Sequence, residues 1–238
     1  VNVAVQVAML GLSAAYCGAV GPAGEADGDR VLAALAEKGV DVSLIERLGP
    51  ATSVTHLNVA PDGNRTILTE DFGACASWGP DGSRLSALSA ARHVHIGWLQ
   101  DGGHARRVLA RDGVSLSQDV SVNAAPEDLD VKGLTIAFGS LSEAQADYAE
   151  ARAADLVAQG AKGAVITLGA RGSLALIGGQ TFRAAAPAIT PVDTTGAGDA
   201  YIAGFLAARL NGADVPKAMA AGHTCAAACC GHPGGFPQ

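Results

Sequence analysis

"PVDTTGAGDAYIAGFLAARL", residues 191–210, passes from a proline-led loop through two glycines directly into an apolar segment. Ile202, Phe205, Leu206 and Leu210 recur at helical intervals, so a helix is expected to begin near Ala197. Gly196, Ala197 and Gly198 then lie at a helix N-terminus, where backbone N–H groups lack intrahelical partners and the dipole favours an anion. Asp193 and Asp199 bracket this anion hole. On position alone they read as a plain N-terminal acid and a favourable first-turn residue. Read with the hole, they suit phosphoryl transfer, in which one acid accepts a hydroxyl proton while backbone dipoles hold the transferring group.

Upstream of this stretch, helical and extended patterns alternate almost throughout, the pattern of an α/β layer fold with a largely parallel sheet. "VNVAVQVAML" reads as a helix, "AAYCGAV" as a buried strand, "DRVLAALAEKG" as a helix closed by Gly39, and "VSLIERL" as a short strand. "TSVTHLNV" and "RTILTE" flank "APDGN", which predicts a hairpin turning at Asp62-Gly63. A Gly/Pro-rich loop follows at 73–83. Strands are expected at "HVHIGW", "VSLSQDV", "LTIAFGS" and "GAVITLG", with helices near 103–111 and 142–159. A second hairpin turns at Gly178-Gly179, and helices at 197–210 and 214–230 end the chain. No internal repeat or linker divides residues 1–238, which read as one domain.

Composition narrows the function. With 238 residues, 49% hydrophobic and 16% charged, the chain can bury a substantial core. A net charge of −7 and no Lys/Arg run argue against nucleic acid or an anionic membrane as partner. The uncharged stretch from Val1 to Gly24 is interrupted by Asn2, Gln6 and Ser13 and does not read as a membrane span or a signal peptide. Cys17, Cys75, Cys225, Cys229 and Cys230 show no CxxC spacing, which predicts thiols in a reducing cytoplasm rather than a disulfide framework. The sequence lacks an initiator Met and is expected to begin inside a longer protein.

"DTTGAGD" is similar to the D-T-x-G-A-G-D signature of the PfkB/ribokinase family of carbohydrate kinases, and the order of other features resembles that family over nearly the whole chain. The resemblance implies a ribokinase-like three-layer α/β sandwich with a mostly parallel central sheet. A small β lid would be built around 52–70, and the N-terminal strand and part of the lid would be missing. It implies ATP and magnesium, possible use of potassium, Asp199 as catalytic base, and Gly196, Ala197 and Gly198 as the hole for the transferred phosphate. Asp193 and its neighbours would hold a monovalent cation.

"TLGARGS" looks like the family's T-x-G-x-x-G nucleotide loop, which assigns Thr167, Gly169 and Gly172 to ATP. By itself it reads as a glycine hairpin turn. His223 falls where the family has an adenine-pocket Asn, although a packed helix histidine reads nearly as well. Asn2 looks like the tail of a Gly-Gly…Asn sugar-binding motif, or a simple helix cap. Asp119 resembles the acid of a D-x-N position near the sugar, with Ser121 replacing Asn, or a surface turn acid.

Three departures stand out. Ser140 replaces the Asn of the magnesium motif N-x-x-E, leaving Glu143 to act on magnesium through water, while Ser140-x-x-Glu143 and Ser142-x-x-Gln145 both fit capping boxes. "VGPAGEADGD" lacks the usual V-G-x-D acid. The first strand is absent from the sequence. "GSLSE", "QDVSVN" and "CCGHPGGFPQ" are similar to the fructoselysine (fructosamine) kinase branch. The expected activity is transfer of the ATP γ-phosphate to a primary hydroxyl of a ketose or fructosamine-type sugar, by a chain that can dimerise through its lid. The rivals are a nucleoside kinase, poorly served by two Trp, three Tyr and five Phe, and a non-catalytic nucleotide- or sugar-binding relative.

Overall fold

Alternate residues of the central strands are apolar on both faces, so the sheet must be covered from both sides. The computed structural model describes residues 1–59, 65–76 and 78–237. The chain opens with α1 (Asn2–Met9), β1 (Ala14–Ala15), β2 (Gly18–Val20), α2 (Ala26–Glu37), β3 (Val40–Asp41) and β4 (Ile45–Arg47). The lid hairpin β5 (Val54–Val59) and β6 (Arg65–Asp71) follows, then α3 (Gly82–Ser89), β7 (Val94–Ile96), α4 (His104–Arg111), β8 (Leu116–Asp119), β9 (Ile136–Ser140) and α5 (Ala149–Ala158). The last third contains β10 (Gly163–Thr167), β11 (Ser173–Ile177), β12 (Gln180–Ala184), α6 (Ala197–Leu210) and α7 (Val215–Cys229).

The largest sheet has the order β12-β11-β10-β9-β8-β7. β7 to β10 run parallel and the closing hairpin β11–β12 is antiparallel. Ala137, Ala164, Ile166 and Leu174 face Leu109 of α4 and Ala153 and Leu156 of α5. Ile136, Phe138, Val165 and Ala175 face Tyr201, Ile202 and Phe205 of α6 and Met219 of α7. The period-two switch between these two clusters produces the three layers. α6 and α7 approach closely because they meet at glycine: a Cβ on Gly204 would lie 2.7 Å from the Ala221 carbonyl, and one on Gly222 would lie 2.9 Å from Tyr201.

Both predicted hairpins form. The Asp62-Gly63 turn lies outside the described residues. "AAYCGAV" is two strands rather than one, because β1 pairs with β3 and β2 with β4. Tyr16 sits at the break: its N–H reaches the Asp41 carbonyl at 2.9 Å, and its ring occupies the space beside Gly18 where a Cβ would fall. Within "VSLIERL" only Ile45–Arg47 is extended, as β4. The helix expected over 142–159 begins as a 3₁₀ segment, Glu143–Tyr148, before α5. The loop at 73–83 gives way to α3, an element not anticipated, once Asp81 caps it by accepting the Arg84 N–H at 2.9 Å. Among the described residues no helix is long and apolar enough to cross a membrane.

Two imidazoles flank Val94, His95 on β7 and His93 immediately before it. His93 reaches Ser115 Oγ at 2.9 Å and Ser117 Oγ at 2.8 Å, and His95 reaches Ser117 Oγ at 2.9 Å. Burial pushes His93 down to about 4 and His95 to about 3. Both are neutral when folded, whereas unfolded histidine binds a proton near pH 6.5. The unfolded chain therefore takes up more protons below that point, and stability must fall as pH drops from about 6.5 toward 4. Urea midpoints should be lower at pH 5 than at pH 7, and His93→Asn/His95→Gln should flatten the dependence; equal wild-type midpoints would contradict this assignment.

Candidate functional site

The loop before α6 is shaped by its acid and its first glycine. Asp193 Oδ1 accepts the Thr195 N–H at 2.8 Å and the Thr195 hydroxyl at 2.7 Å, while Oδ2 accepts the Gly234 N–H at 2.8 Å. Three donors thus engage the two carboxylate oxygens and fix the side chain in the loop. Gly196 caps α6 in the left-handed region, at φ 75°. Ala197, expected in the anion hole, donates its N–H to Thr194 within the loop at 3.2 Å. Among the described residues the N–H groups of Gly198 and Asp199 have no protein acceptor. The Gly196 N–H likewise has no acceptor there, so of the three residues expected to form the hole only Ala197 is engaged by the loop, and Asp199 adds an open donor. A Cβ at Gly198 would meet nothing within 4 Å, so the space above it is free for a ligand.

Asp199 occupies the first turn of α6 and accepts a hydrogen bond from Asn2 Nδ2 at 2.8 Å. Asn2 makes no cap contact with its own helix. Its amide is therefore turned toward the carboxylate, and the capping alternative does not describe it. Asp119 ends β8 and accepts the Ser121 N–H at 2.9 Å. Burial raises its pKa; the Ser121 hydrogen bonds oppose the rise and the nearby charge of Asp199 adds to it. Asn2, Asp119 and Asp199 thus form one polar group beside the open N–H groups.

The second half of the site gathers at the end of β10. Leu168 donates to the Gly172 carbonyl at 2.9 Å, closing a tight turn with Gly169 and Gly172 both at positive φ. A Cβ at Gly172 would lie 2.0 Å from the Ala184 carbonyl, so this glycine is required by the fold itself. Thr167 pairs with Ser140 on β9, bringing the two motifs side by side. The Ser142/Gln145 capping box is formed, and exposed Glu143 reaches over to the glycine turn, its Oε1 accepting the Ala170 N–H at 3.2 Å. A cleft of ≈ 420 Å³ lies alongside, lined by Asp147, Leu168, Arg171, Ser173, Arg183 and Ala184 among others.

His223 does not line that cleft. It is buried behind Ser173, with Nε2 2.9 Å from Ser173 Oγ, which in turn lies 2.8 Å from the Tyr201 hydroxyl. Burial lowers its pKa, against a hydrogen bond to Ala184, and its ring meets Tyr201 edge-on at 4.9 Å. The packed-histidine alternative is the arrangement observed.

Two groups escaped the sequence reading. Glu25 caps α2 through the Gly28 N–H at 2.7 Å and accepts the Thr52 hydroxyl at 2.5 Å, while Thr52 Oγ1 accepts the Gly21 N–H at 2.9 Å. Glu25 supplies an acid at the base of the lid within the loop whose usual acid is lacking. Below the second strand of the lid, Phe72 stacks on Trp98 with centroids 4.4 Å apart, Trp98 Nε1 donates to the Asn123 carbonyl at 2.9 Å, and Asn123 Nδ2 donates to Glu70 at 2.9 Å. These three contacts tie the end of β6 to the loops that follow β7 and β8. An Asn four residues past Asp119 was their only sequence signal.

A largely parallel sheet between helical layers, a hairpin lid, and an acid beside open N–H groups at a helix start define a phosphotransferase-type α/β fold. The pfkB family carbohydrate kinase description matches residues 1–237, and the chain belongs to that family. It is 49% identical over 72 residues to fructoselysine 6-kinase of Shigella flexneri, a stretch covering 30% of this chain and 28% of that protein. It is 28% identical over 236 residues to acarbose 7(IV)-phosphotransferase of an Actinoplanes species, covering 96% of this chain and 78% of that protein. Adenosine kinase from Sinorhizobium meliloti superposes with a TM-score of 0.83 at 27% identity, covering 99% of this chain and 78% of that one. The Arabidopsis thaliana ribokinase complexed with ribose and ATP superposes at 0.81 with 22% identity, covering 98% and 80%, and shares the fold.

Because the space above Gly198 is empty of protein, Gly198→Val should leave the melting temperature nearly unchanged while its side chain blocks the approach of an anion to the open N–H groups. Loss of such a hole typically costs about 2.7–4 kcal/mol in transition-state stabilisation. Isothermal titration with nucleotide, alongside a thermal melt, separates the two effects; wild-type nucleotide affinity in the folded variant would remove the hole from the site.

Proposed function

We propose that this chain is an ATP-dependent sugar kinase acting on a primary hydroxyl of a ketose or fructosamine-type sugar. One observation carries the reading: the Asp199 carboxylate, held by Asn2, stands at the same helix start as the unpartnered N–H groups of Gly198 and Asp199. A hydroxyl seated between Asn2 and Asp119 would give its proton to Asp199 as its oxygen bonds to the γ-phosphorus. The bond from that phosphorus to the bridging oxygen breaks, and ADP leaves with the electron pair. Charge developing on the transferred group would be met by the open N–H dipoles.

Nucleotide would lie along the Gly169–Gly172 turn and the adjoining cleft. Glu143 is exposed and has one oxygen engaged by Ala170, so it fits a hydrated divalent cation, held through water. Magnesium there would neutralise phosphate charge. The similarity to fructoselysine 6-kinase supports a sugar carrying an amino-acid substituent, and the chain's net negative charge favours an ammonium group. The lid exposes Leu57 (39%), Ile67 (54%) and Leu68 (63%), and an isolated two-stranded sheet is marginal, so a second copy is proposed to cover it. Sedimentation should then show a dimer that Leu68→Glu weakens; an unchanged species would dismiss this lid contact.

Asp199→Asn should cut sugar phosphorylation by about 100- to 10,000-fold while leaving nucleotide binding intact, since it removes the base and spares the N–H groups. The wild-type protein, given ATP, magnesium and a panel of ketoses, fructosamines and nucleosides, should phosphorylate a sugar fastest. Faster turnover of adenosine than of every sugar would favour a nucleoside kinase, and nucleotide binding without turnover would favour a non-catalytic relative.

A further inference from the structure

The segment after α7, Gly231 to Pro237, is distant in sequence from both carboxylates of the site yet threads between α1 and the loop that leads into α6. Three contacts fix it. Gly234 donates to Asp193, the Gly235 carbonyl accepts Gln6 Nε2 at 2.9 Å, and Phe236 packs against the Val5, Leu35 and Val40 cluster. Between these anchors Gly235 is pressed against two parts of the site. A Cβ on Gly196 would lie 2.6 Å from Gly235 Cα, and a Cβ on Gly235 would lie 2.7 Å from Cγ, Nδ2 and Oδ1 of Asn2. Gly234 has a positive φ, but Gly235 does not. Backbone conformation therefore places no demand for glycine at 235; the demand comes from the space taken by the Asn2 amide.

That same amide donates to Asp199. A Cβ cannot approach a carbon or oxygen to 2.7 Å, so either the tail or Asn2 must yield. Gln6, Asp193 and the Phe236 cluster hold the tail on three sides, whereas Asn2 is held at its tip by one hydrogen bond. Resting on the sugar-kinase reading, we propose that Gly235 is a positioning residue for phosphoryl transfer: its missing side chain is the seat of the Asn2 amide, and through Asn2 it sets the direction of the Asp199 carboxylate. The distances involved matter because a misplacement of about 1 Å in a catalytic arrangement can cost about 100-fold in rate.

The test is a double-mutant cycle on the full chain, with kinetics on the best sugar and an activity-independent readout. Gly235→Ala alone should lower kcat by about 10- to 100-fold with little change in the KM for ATP. In the Asn2→Ala background the new methyl enters vacated space, so adding Gly235→Ala should cost nothing further. An equal additional loss in both backgrounds, or wild-type kcat in Gly235→Ala, would overturn the proposal. The Asn2 side-chain amide signal in ¹⁵N-edited NMR, identified by its loss in Asn2→Ala, should shift in Gly235→Ala and in Asp199→Asn. An unmoved signal in Gly235→Ala overturns the proposal even if no sugar is turned over, an outcome that by itself counts only against the kinase reading. Should Gly235→Ala fail to fold, Gln6→Met, which frees the tail without adding bulk beside Asn2, should move the same signal; an unmoved signal there is equally decisive.

Discussion

Asn2 and Asp199 are separated by 197 residues of sequence and joined by one hydrogen bond of 2.8 Å. The contact requires α1 to lie across the start of α6, which in turn requires the loop before α6 and the tail after α7 to pack without side chains between them. The anion hole, the carboxylate and the substrate-side amide are thus consequences of one close approach. Two acids near a place suited to an anion would otherwise repel what the N–H groups attract. Donation from Asn2 and the dipole of α6 compensate Asp199, while the Ser121 hydrogen bonds compensate Asp119 in part.

Glycine serves several distinct purposes in this arrangement. At Gly196 the need is for a left-handed backbone, and at Gly172 for clearance from a carbonyl. Gly204 and Gly222 let two helices touch, so that α6 packs against α7 as well as against the sheet. At Gly198 neither conformation nor protein contact explains the residue, and its place in the first turn of α6 leaves open space beside the unpartnered N–H groups.

The helix start at Ala197 and both hairpins were legible because their signals are local: apolar spacing, turn glycines and alternating strands. The cradle was legible in outline, but the sequence could not say that Thr194 would take the Ala197 N–H and leave those of Gly196, Gly198 and Asp199 open. His223 was ambiguous for the same reason, since its spacing on α7 places it toward the sheet whether it meets a base or, as observed, Ser173 and Tyr201. The Glu25–Thr52 clamp and the Gly235 seat depend on pairs far apart in sequence and left no periodic trace. Tyr16 likewise broke a plausible single strand through a contact that only the folded chain makes.

The distribution of aromatic rings bears on the substrate. A nucleobase is ordinarily held by stacking, so a nucleoside site needs a ring face turned toward the acceptor pocket. Phe138, Phe205 and Tyr201 are sealed in the layer beneath α6, Trp78 is buried with its indole N–H on Glu46, and Phe236 belongs to the cluster under α1. Phe72 and Trp98, at the base of the lid, lie nearly parallel at 4° and cover one face of each other. The polar groups gathered around Asp199, by contrast, are an amide and a carboxylate with donors and acceptors at hydrogen-bonding distance, which match the alternating hydroxyls of a sugar. The lid latch, Asn123 Nδ2 donating to Glu70, joins β6 to the loop that leaves Asp119. If the chain takes the sugar proposed above, a cationic end on it would complement the Glu70 carboxylate, which a neutral base would not.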